Sequence, residues 1–396
     1  MPALAIDGGR PIRDRFLPYG RHAIAAADLA AVRAALRSDA ITQGALCGRF
    51  EEAFAERVGA PHAVALSSGT AALHAAVASL DLAPGDEVIV PPITFAATAN
   101  AVLYCGGRPV FADVDPATGL IDPAAIESAI SRRTRAVIPV HYAGAPCDMR
   151  AIRALARKHG LRVIVDAAHA LGSEDRGVPV GAGERLCIFS THPVKHVTTG
   201  EGGVVTTTAR AVADRLRRFR THGIRKDPKA VARHGAWFYE MVELGYNYRL
   251  TDFAAALGLS QLARLGSYVA RRRKLAARYR ALLAGRPYLD LVPEPAGARS
   301  AYHIFPVLLR LPRFRAGKRE IVAALHAENV GVQVHYIPVY HHPYYRKRLG
   351  TRPGLCPNAE RFYRRELTLP LFPAMSGRDQ DDVVAALDKV FERYAR

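Results

Sequence analysis

Seven apolar runs of strand length, spread between residues 62 and 207, constrain this chain more than any other feature. They read "HAVAL", "DEVIVPP", "RPVFADV", "RAVIPVHY", "LRVIVDAA", "RLCIFST" and "GGVVTTT". Helical patterns such as "TAALHAAVASL" and "DMRAIRALARKHG" separate several of them. Strands that are apolar without alternation are covered on both faces, which is the mark of a mainly parallel sheet between helices. The expectation is an α/β fold with one large, mainly parallel, seven-stranded sheet. Upstream, "ADLAAVRAALRS" puts Leu29, Val32 and Leu36 on one helical face, and "RFEEAFAERV" does the same with Phe50, Phe54 and Val58.

After residue 250 the texture changes. Residues 251–285 read as one long helical stretch linking two domains, with Asp252 a candidate cap at its start. A strand "YHIFPVLLRL", a helix "KREIVAALHAEN", a strand "GVQVHYIPV" and a final helix with Ser376 as N-cap then suggest a smaller C-terminal α+β domain. The expected division is a large domain over 1–255 and a small one over 256–396.

No basic-then-apolar leader opens the sequence and no apolar run approaches a membrane span, so the expected location is the cytoplasm, away from membranes. The five cysteines are scattered and form no CxxC pair, which excludes a disulfide framework or a zinc site and predicts no metal. Net charge is +19. Its densest clusters, "RRR" at 271–273 and "FYRRE" at 362–366, read as solvated helix faces. There is no zinc-finger spacing or RNP-like strand, and a basic surface also suits an anionic small substrate or cofactor by electrostatic steering; the charge alone does not separate the two, and the expectation of no nucleic-acid partner comes from the motifs at the strand ends.

Ligands of such sheets collect at the carboxyl ends of strands. After "HAVAL" comes "SSGTAALHAA", where Gly69 permits close backbone approach and Thr70 offers a hydroxyl at a helix N-terminus, an anion site. Phe95 closes the strand exit "VIVPPITF". Asp166 follows "LRVIV", where an unpaired carboxylate is expensive. Lys195 stands in "STHPVKHVTTGEGG" among hydroxyls and glycines, an unusual place for an ammonium. Anion cradle, aromatic, aspartate and sheltered lysine are the parts that hold pyridoxal 5′-phosphate (PLP): phosphate, ring face, pyridine nitrogen and aldehyde each find a partner. Their order along the chain is similar to that of fold-type I, aspartate aminotransferase-like PLP enzymes.

The blocks "SSGTAALHAA", "ITFAATAN", "HYAGAPCDM", "VDAAHALGS", "STHPVKHVTTGEGG", "LGYNYRLTD" and "VHYIPVYHHPYY" resemble, in order, the DegT/DnrJ/EryC1/StrS family of sugar aminotransferases. The resemblance implies that Lys195 is the Schiff-base lysine and Asp166 the pyridinium partner. It implies that Phe95 stacks on the cofactor and that His169 lies by the ring and its 3-oxygen. Thr70, Ala71 (through its amide) and Ser190 would bind phosphate beside Gly69, and the residues after the lysine would leave room for substrate. Asn247 matches a residue that reaches the phosphate from the other subunit, implying a homodimer with shared active sites. One position departs from the family: Thr191 stands where an aromatic is usual, which puts the packing beside the lysine in question. A related branch of pyridoxamine-dependent dehydratases has histidine at the lysine position; here the lysine is present, which favours transamination.

"LPYGRHAI", "LRSDAITQG" and "VHYIPVYHHPYYR" are similar to the branch that makes UDP-4-amino-4,6-dideoxy-N-acetyl-β-L-altrosamine for pseudaminic acid. This implies L-glutamate as donor and a UDP-linked 4-keto-6-deoxy-hexosamine as acceptor. The corresponding substrate contacts are Tyr19, Thr42, Gln43, His335 and Tyr336, with Arg225 toward the diphosphate. "LAIDGGRPIR" is also similar to cyclitol and antibiotic-pathway relatives, which leaves another keto-sugar or a keto-cyclitol as the alternative acceptor. A binding protein that kept the fold is the alternative outside enzymes, and it has no need of both Lys195 and Asp166.

Overall fold

The computed structural model describes residues 3–396. The seven apolar runs form seven strands: β1 (His62–Leu66), β2 (Glu87–Val90), β3 (Arg108–Phe111), β4 (Thr134–Val137), β5 (in two pieces, Arg162–Val163 and Val165–Asp166), β6 (Cys187–Ser190) and β7 (Gly203–Thr207). Across the sheet they lie in the order β3-β2-β4-β5-β6-β7-β1. The β5 run joins the two halves. Its Ile164 and Asp166 amides donate to Val137 and Pro139 on one side, and Val165 and Ala167 donate to Leu186 and Ile188 on the other. All strands are parallel except β7, which runs against both neighbours. The carboxyl ends of β1, β2, β5 and β6 therefore share one edge of the sheet. The residues singled out above follow those four ends.

The sheet core includes Val88, Ile89, Val90, Val165, Ile188 and Phe189, all fully buried. Burying each such side chain contributes roughly 1.5–3 kcal/mol. Of the two amphipathic helices upstream, Ala45–Val58 packs Phe50, Phe54 and Val58 into this core. The helix Ala26–Leu36 does the opposite, leaving Leu29 65% and Leu36 54% exposed.

A second core gathers Leu275, Tyr279, Phe305, Leu309, Leu367, Leu369, Val383 and Leu387 around a three-stranded antiparallel sheet, Leu289–Leu291, Phe305–Leu309 and Glu366–Leu369. The two cores interleave along the chain. Leu4 and Leu17 belong to the second, while Val339, Tyr340 and Phe362 belong to the first. Ser376 caps the last helix, Gly377–Tyr394, as expected, accepting from the Asp379 amide at 3.1 Å.

Four expectations are corrected. The long helical stretch is two helices, Asp252–Leu262 and Leu265–Leu283. They part at Arg264, whose guanidinium is drawn onto buried Asp28. Thr251, not Asp252, caps the first of them. Asp252 is buried and accepts from the Gly44 and Leu46 amides at 2.7 and 2.9 Å, so it caps the distant helix Ala45–Val58. "GVQVHYIPV" touches a sheet only where Gln333 pairs with Thr368, because the buried carboxylate of Glu366 takes the His335 amide. The clusters "RRR" and "FYRRE" are not wholly solvated: Arg272, Phe362 and Glu366 are buried.

Asp252→Ala strands two amides at a helix N-terminus and is expected to cost about 1–2 kcal/mol. A urea titration reads this as a lower midpoint at unchanged m, and Asp252→Asn should recover part of the loss.

Candidate active site

Each feature at the shared sheet edge is set by its strand and the turn that follows. After β1, Ser68 caps the helix Gly69–Ala78, its hydroxyl accepting from the Ala71 amide at 3.0 Å. As the first two residues of that helix, Gly69 and Thr70 have no intrahelical acceptor for their amides, so these point outward as an anion cradle. The Ala71 amide, expected in the cradle, is engaged by Ser68 instead. A Cβ on Gly69 would lie 3.1 Å from the side chain of Ser190, which ends β6, so a glycine here eases the close approach of the two strand ends. Gly203 is tighter still: a Cβ there would sit 2.4 Å from the Ser68 carbonyl oxygen.

Asp166 is buried at the end of β5. Thr98 donates to its Oδ2 at 2.8 Å, and the Ala168 amide donates to Oδ1 at 3.1 Å. Burial raises its pKa; the Thr98 and Ala168 bonds and the nearby Lys195 charge pull the other way without cancelling it. Lys195, half-buried, lies in the turn after β6. Burial pushes its amine down to about 7, with Asp166 opposing that shift and Arg272 adding to it. Its Nζ is 3.3 Å from His303 Nε2. The carboxylate and the amine are thus each driven toward neutrality in the cofactor-free site.

Around the lysine stand buried histidines. His169 and His303 pack with ring centroids 4.3 Å apart. His169 Nε2 meets the Tyr336 hydroxyl at 3.0 Å. Burial, reinforced by the Lys195 charge, holds both imidazoles well below their ordinary pKa, so they are neutral. The Nδ1 atoms of His169 and His303 are buried and without partners among the described residues. His335 is fixed by the Thr368 hydroxyl at 2.8 Å, and its ring lies 5.3 Å from that of Tyr19. Phe95 is 63% exposed, with its ring 6.3 Å from Tyr336.

The structure thus gathers Tyr19, Phe95, His169, His335 and Tyr336 around Asp166 and Lys195, and the cradle residues Gly69 and Thr70 around Ser190. It does not bring in the others. Thr42 is exposed and pairs with Thr251, and Gln43 opens onto a groove with Arg220 and Arg249. Arg225 pairs with Glu240 on an exposed hairpin, and Asn247 is exposed, its backbone paired with Thr221.

Two details differ from the sequence reading. Thr191 leaves no packing defect: it is buried, its hydroxyl 2.6 Å from that of Thr199. Thr198 and Thr199 are buried as well, so this turn is filled by its own hydroxyls rather than open to substrate. Sequence reasoning missed Thr98, His303 and Arg272. Thr98 follows Thr94 by one helical turn, and their hydroxyls are 2.7 Å apart, a spacing visible in "ITFAATAN". Arg272 lies on the apolar stripe Leu265, Val269, Ala276, Tyr279, which a helical count would have revealed. Nothing local distinguishes His303.

Residues 22–388 match the model of the DegT/DnrJ/EryC1/StrS aminotransferase family. The spore coat polysaccharide biosynthesis protein SpsC of Bacillus subtilis is 41% identical over 379 residues, 95% of this chain and 97% of its own. Among solved structures, Helicobacter pylori PseC, an aminotransferase involved in the biosynthesis of pseudoaminic acid, has a TM-score of 0.90 at 32% identity. That likeness covers 96% of this chain and 100% of PseC. Streptococcus pneumoniae Spr1654, solved in a PLP form, has a TM-score of 0.88 at 30% identity over 96% of this chain and 99% of its own. Its PMP form gives 0.89 at 30%, over 95% and 99%.

The donor set here fits that cofactor. The cradle is lined by two glycines, Asp166 lacks a permanent cation, Lys195 has an amine whose pKa is pushed down to about 7 and so is in large part neutral at pH values where an ordinary lysine is fully charged, and two buried imidazole nitrogens have no partner among the described residues.

Because burial raises Asp166 above its ordinary 3.8, the folded protein binds more protons than the unfolded chain just above that value. Stability contributed by the protonated form is therefore lost as pH rises through the raised pKa. Cofactor-free Asp166→Asn should be at least as stable as wild type at pH 7. Its advantage should shrink at pH 4, as read by thermal unfolding. The same variant should bind PLP about tenfold or more weakly, through loss of a charge-assisted bond.

Proposed function

This chain belongs to the DegT/DnrJ/EryC1/StrS aminotransferase family, is a PLP-dependent sugar aminotransferase, and, we propose, moves the amino group of L-glutamate to the 4-keto carbon of a nucleotide-linked 4-keto-6-deoxy sugar. The acceptor we infer is UDP-2-acetamido-2,6-dideoxy-β-L-arabino-hex-4-ulose. The observation that carries the catalytic reading is the convergence of Asp166 and Lys195 from different strand ends, with an anion cradle beside them. Full-length likeness to PseC, an enzyme of pseudoaminic acid biosynthesis, supports the choice of acceptor.

When bound, PLP supplies a carbonyl that condenses with amines and a ring that accepts electrons from the substrate carbon. In this reading the Gly69 and Thr70 amides and the Ser190 hydroxyl hold its phosphate, with the Ala71 amide behind them on Ser68. Asp166 keeps a proton on the ring nitrogen. The Lys195 ε-nitrogen, with its pKa pushed down to about 7 and so substantially unprotonated at neutral pH, would serve as the base that takes the proton from the substrate carbon and as the acid that gives it back across the intervening nitrogen. His169, anchored on Tyr336, would lie beside the ring, and Phe95 would offer it an apolar face. Tyr19, His335 and Tyr336 line the sugar side.

Thr42, Gln43, Arg225 and Asn247 sit on exposed segments. We place them in a homodimer, where each serves the partner's site, Asn247 at the phosphate and Arg225 at the diphosphate. Leu29 and Leu36, both exposed on one face of the helix Ala26–Leu36, support this reading, since an apolar helix face calls for cover. Among the described residues no helix is long and apolar enough to cross a membrane, and we place the enzyme in the cytoplasm.

The test supplies protein, PLP and L-glutamate with a panel of UDP-, dTDP- and GDP-linked 4-keto-6-deoxy sugars and a keto-cyclitol. Amination of the UDP-linked 2-acetamido sugar is expected, and turnover only of another acceptor overturns the substrate assignment. Lys195→Ala should abolish the visible absorbance of bound PLP and slow turnover by at least about a hundredfold.

A further inference from the structure

The most anomalous charge in the molecule is Arg272. It is 1% exposed, on the inner face of the helix Leu265–Leu283. Buried charges are normally paired, because an unpaired one costs several kcal/mol. No carboxylate among the described residues pairs with this guanidinium. It donates instead to four backbone carbonyls: Tyr302 at 3.3 Å, His303 at 3.0 Å, Leu371 at 3.0 Å and Val194 at 3.5 Å. Its Nε has no partner. Burial pushes it down to about 10, still a cation at neutral pH.

The choice of carbonyls is informative. Val194 precedes Lys195, and His303 is the residue whose ring meets the Lys195 amine. Leu371 lies in the segment whose amide holds the Tyr19 carbonyl at 2.9 Å. One side chain therefore ties together the turn bearing the lysine, its imidazole partner and the strand exit that positions Tyr19. A structural tie alone requires donors, not charge; a neutral amide could serve several of these carbonyls. An uncompensated cation in this position also opposes any second positive charge nearby.

We propose that Arg272 is a positioning residue for the active-site lysine: by its bonds to the Val194 and His303 carbonyls it holds the Lys195 and His303 segments in register and sets a fixed positive charge near the ε-amine. The functional consequence rests on the reading of Lys195 as the cofactor lysine. The groups facing that amine are Asp166, His169, His196, His303, His335 and Arg272. Burial holds the four histidines neutral, so the fixed charges acting on the amine are one carboxylate, which favours the ammonium, and Arg272, which opposes it. Removing the arginine leaves burial alone to oppose the carboxylate's pull toward the ammonium.

The test uses full-length, cofactor-free protein. A brief pulse of acetic anhydride at a series of pH values, with the Lys195-containing peptide quantified by mass spectrometry, gives the midpoint at which the amine becomes nucleophilic. In wild type this midpoint is expected near 7. In Arg272→Gln, which keeps a donor but loses the charge, it should rise by about one pH unit. In Arg272→Lys, which keeps the charge with fewer donors, it should stay within about 0.3 of wild type. In the loaded enzyme, the Gln variant should lose roughly fivefold in kcat at pH 7, regained at pH 9, with the acceptor KM unchanged.

A midpoint in Arg272→Gln equal to wild type overturns the proposal. If that variant does not fold, as circular dichroism would reveal, Arg272→Lys decides: a midpoint a full unit higher overturns it. The reading of Lys195 is judged separately. Cofactor absorbance that persists in Lys195→Ala sinks that reading whatever the Arg272 midpoints are.

Discussion

The site is organised by a carboxylate that the fold buries without giving it a permanent countercharge. An apolar run, β5, ends on Asp166 in the middle of the sheet, where desolvation opposes ionisation. Two hydrogen bonds, from Thr98 and the Ala168 amide, hold its oxygens but do not neutralise it. Lys195 is the nearest cation, and the same burial weakens its hold on a proton. Carboxylate and amine are thus frustrated together. A ligand that offers a protonatable nitrogen to one and a carbonyl to the other resolves both at once. This is why the pair is strong ground for a PLP site where either residue alone would be ambiguous.

The surroundings of that pair hang from the second core as much as from the sheet. Glu366, fully buried, takes the His335 amide, and its carboxyl, raised by burial, also accepts from Thr368. Thr368 in turn fixes the His335 ring. The N-terminal segment is clipped by Glu328, which accepts the Ala5 and Ile12 amides and the Lys389 ammonium. From that anchored segment Tyr19 reaches the His335 ring. The sheet edge thus supplies cradle and carboxylate, while the second core supplies the wall across from them. Relative movement of the two cores would alter the sugar side before the phosphate side.

Much of this was legible in the sequence, for a physical reason. Strands covered on both faces tolerate little except apolar residues, so their runs are conspicuous, and polar residues at their ends stand out against them. Gly69, Asp166, Ser190 and Lys195 were visible on those terms. What sequence hid were residues whose meaning depends on distant partners. His303 is an ordinary residue before a strand until the fold brings it to Lys195. Arg272 was masked by its charged neighbours, although its apolar stripe was countable. Leu29 and Leu36 form a regular amphipathic face, but periodicity gives only the existence of a face and not what it meets. Asp252 looked like a local cap because local capping is the commoner use of an aspartate there.

That last aspartate has a bearing on how the chain is made. The Gly44 amide and its carboxylate are 208 residues apart. During synthesis the helix Ala45–Val58 emerges early, with its first turn lacking the group that will satisfy it until half the polypeptide has followed. The β1 strand has the same delay, because its sheet neighbour among the described residues, β7, comes more than a hundred residues later. Contacts of such separation are slow to close and leave apolar surface uncovered meanwhile. The N-terminal quarter of this protein should therefore be the part most dependent on chaperones, and the closing of Asp252 onto Gly44 one of the last events before the catalytic edge is complete.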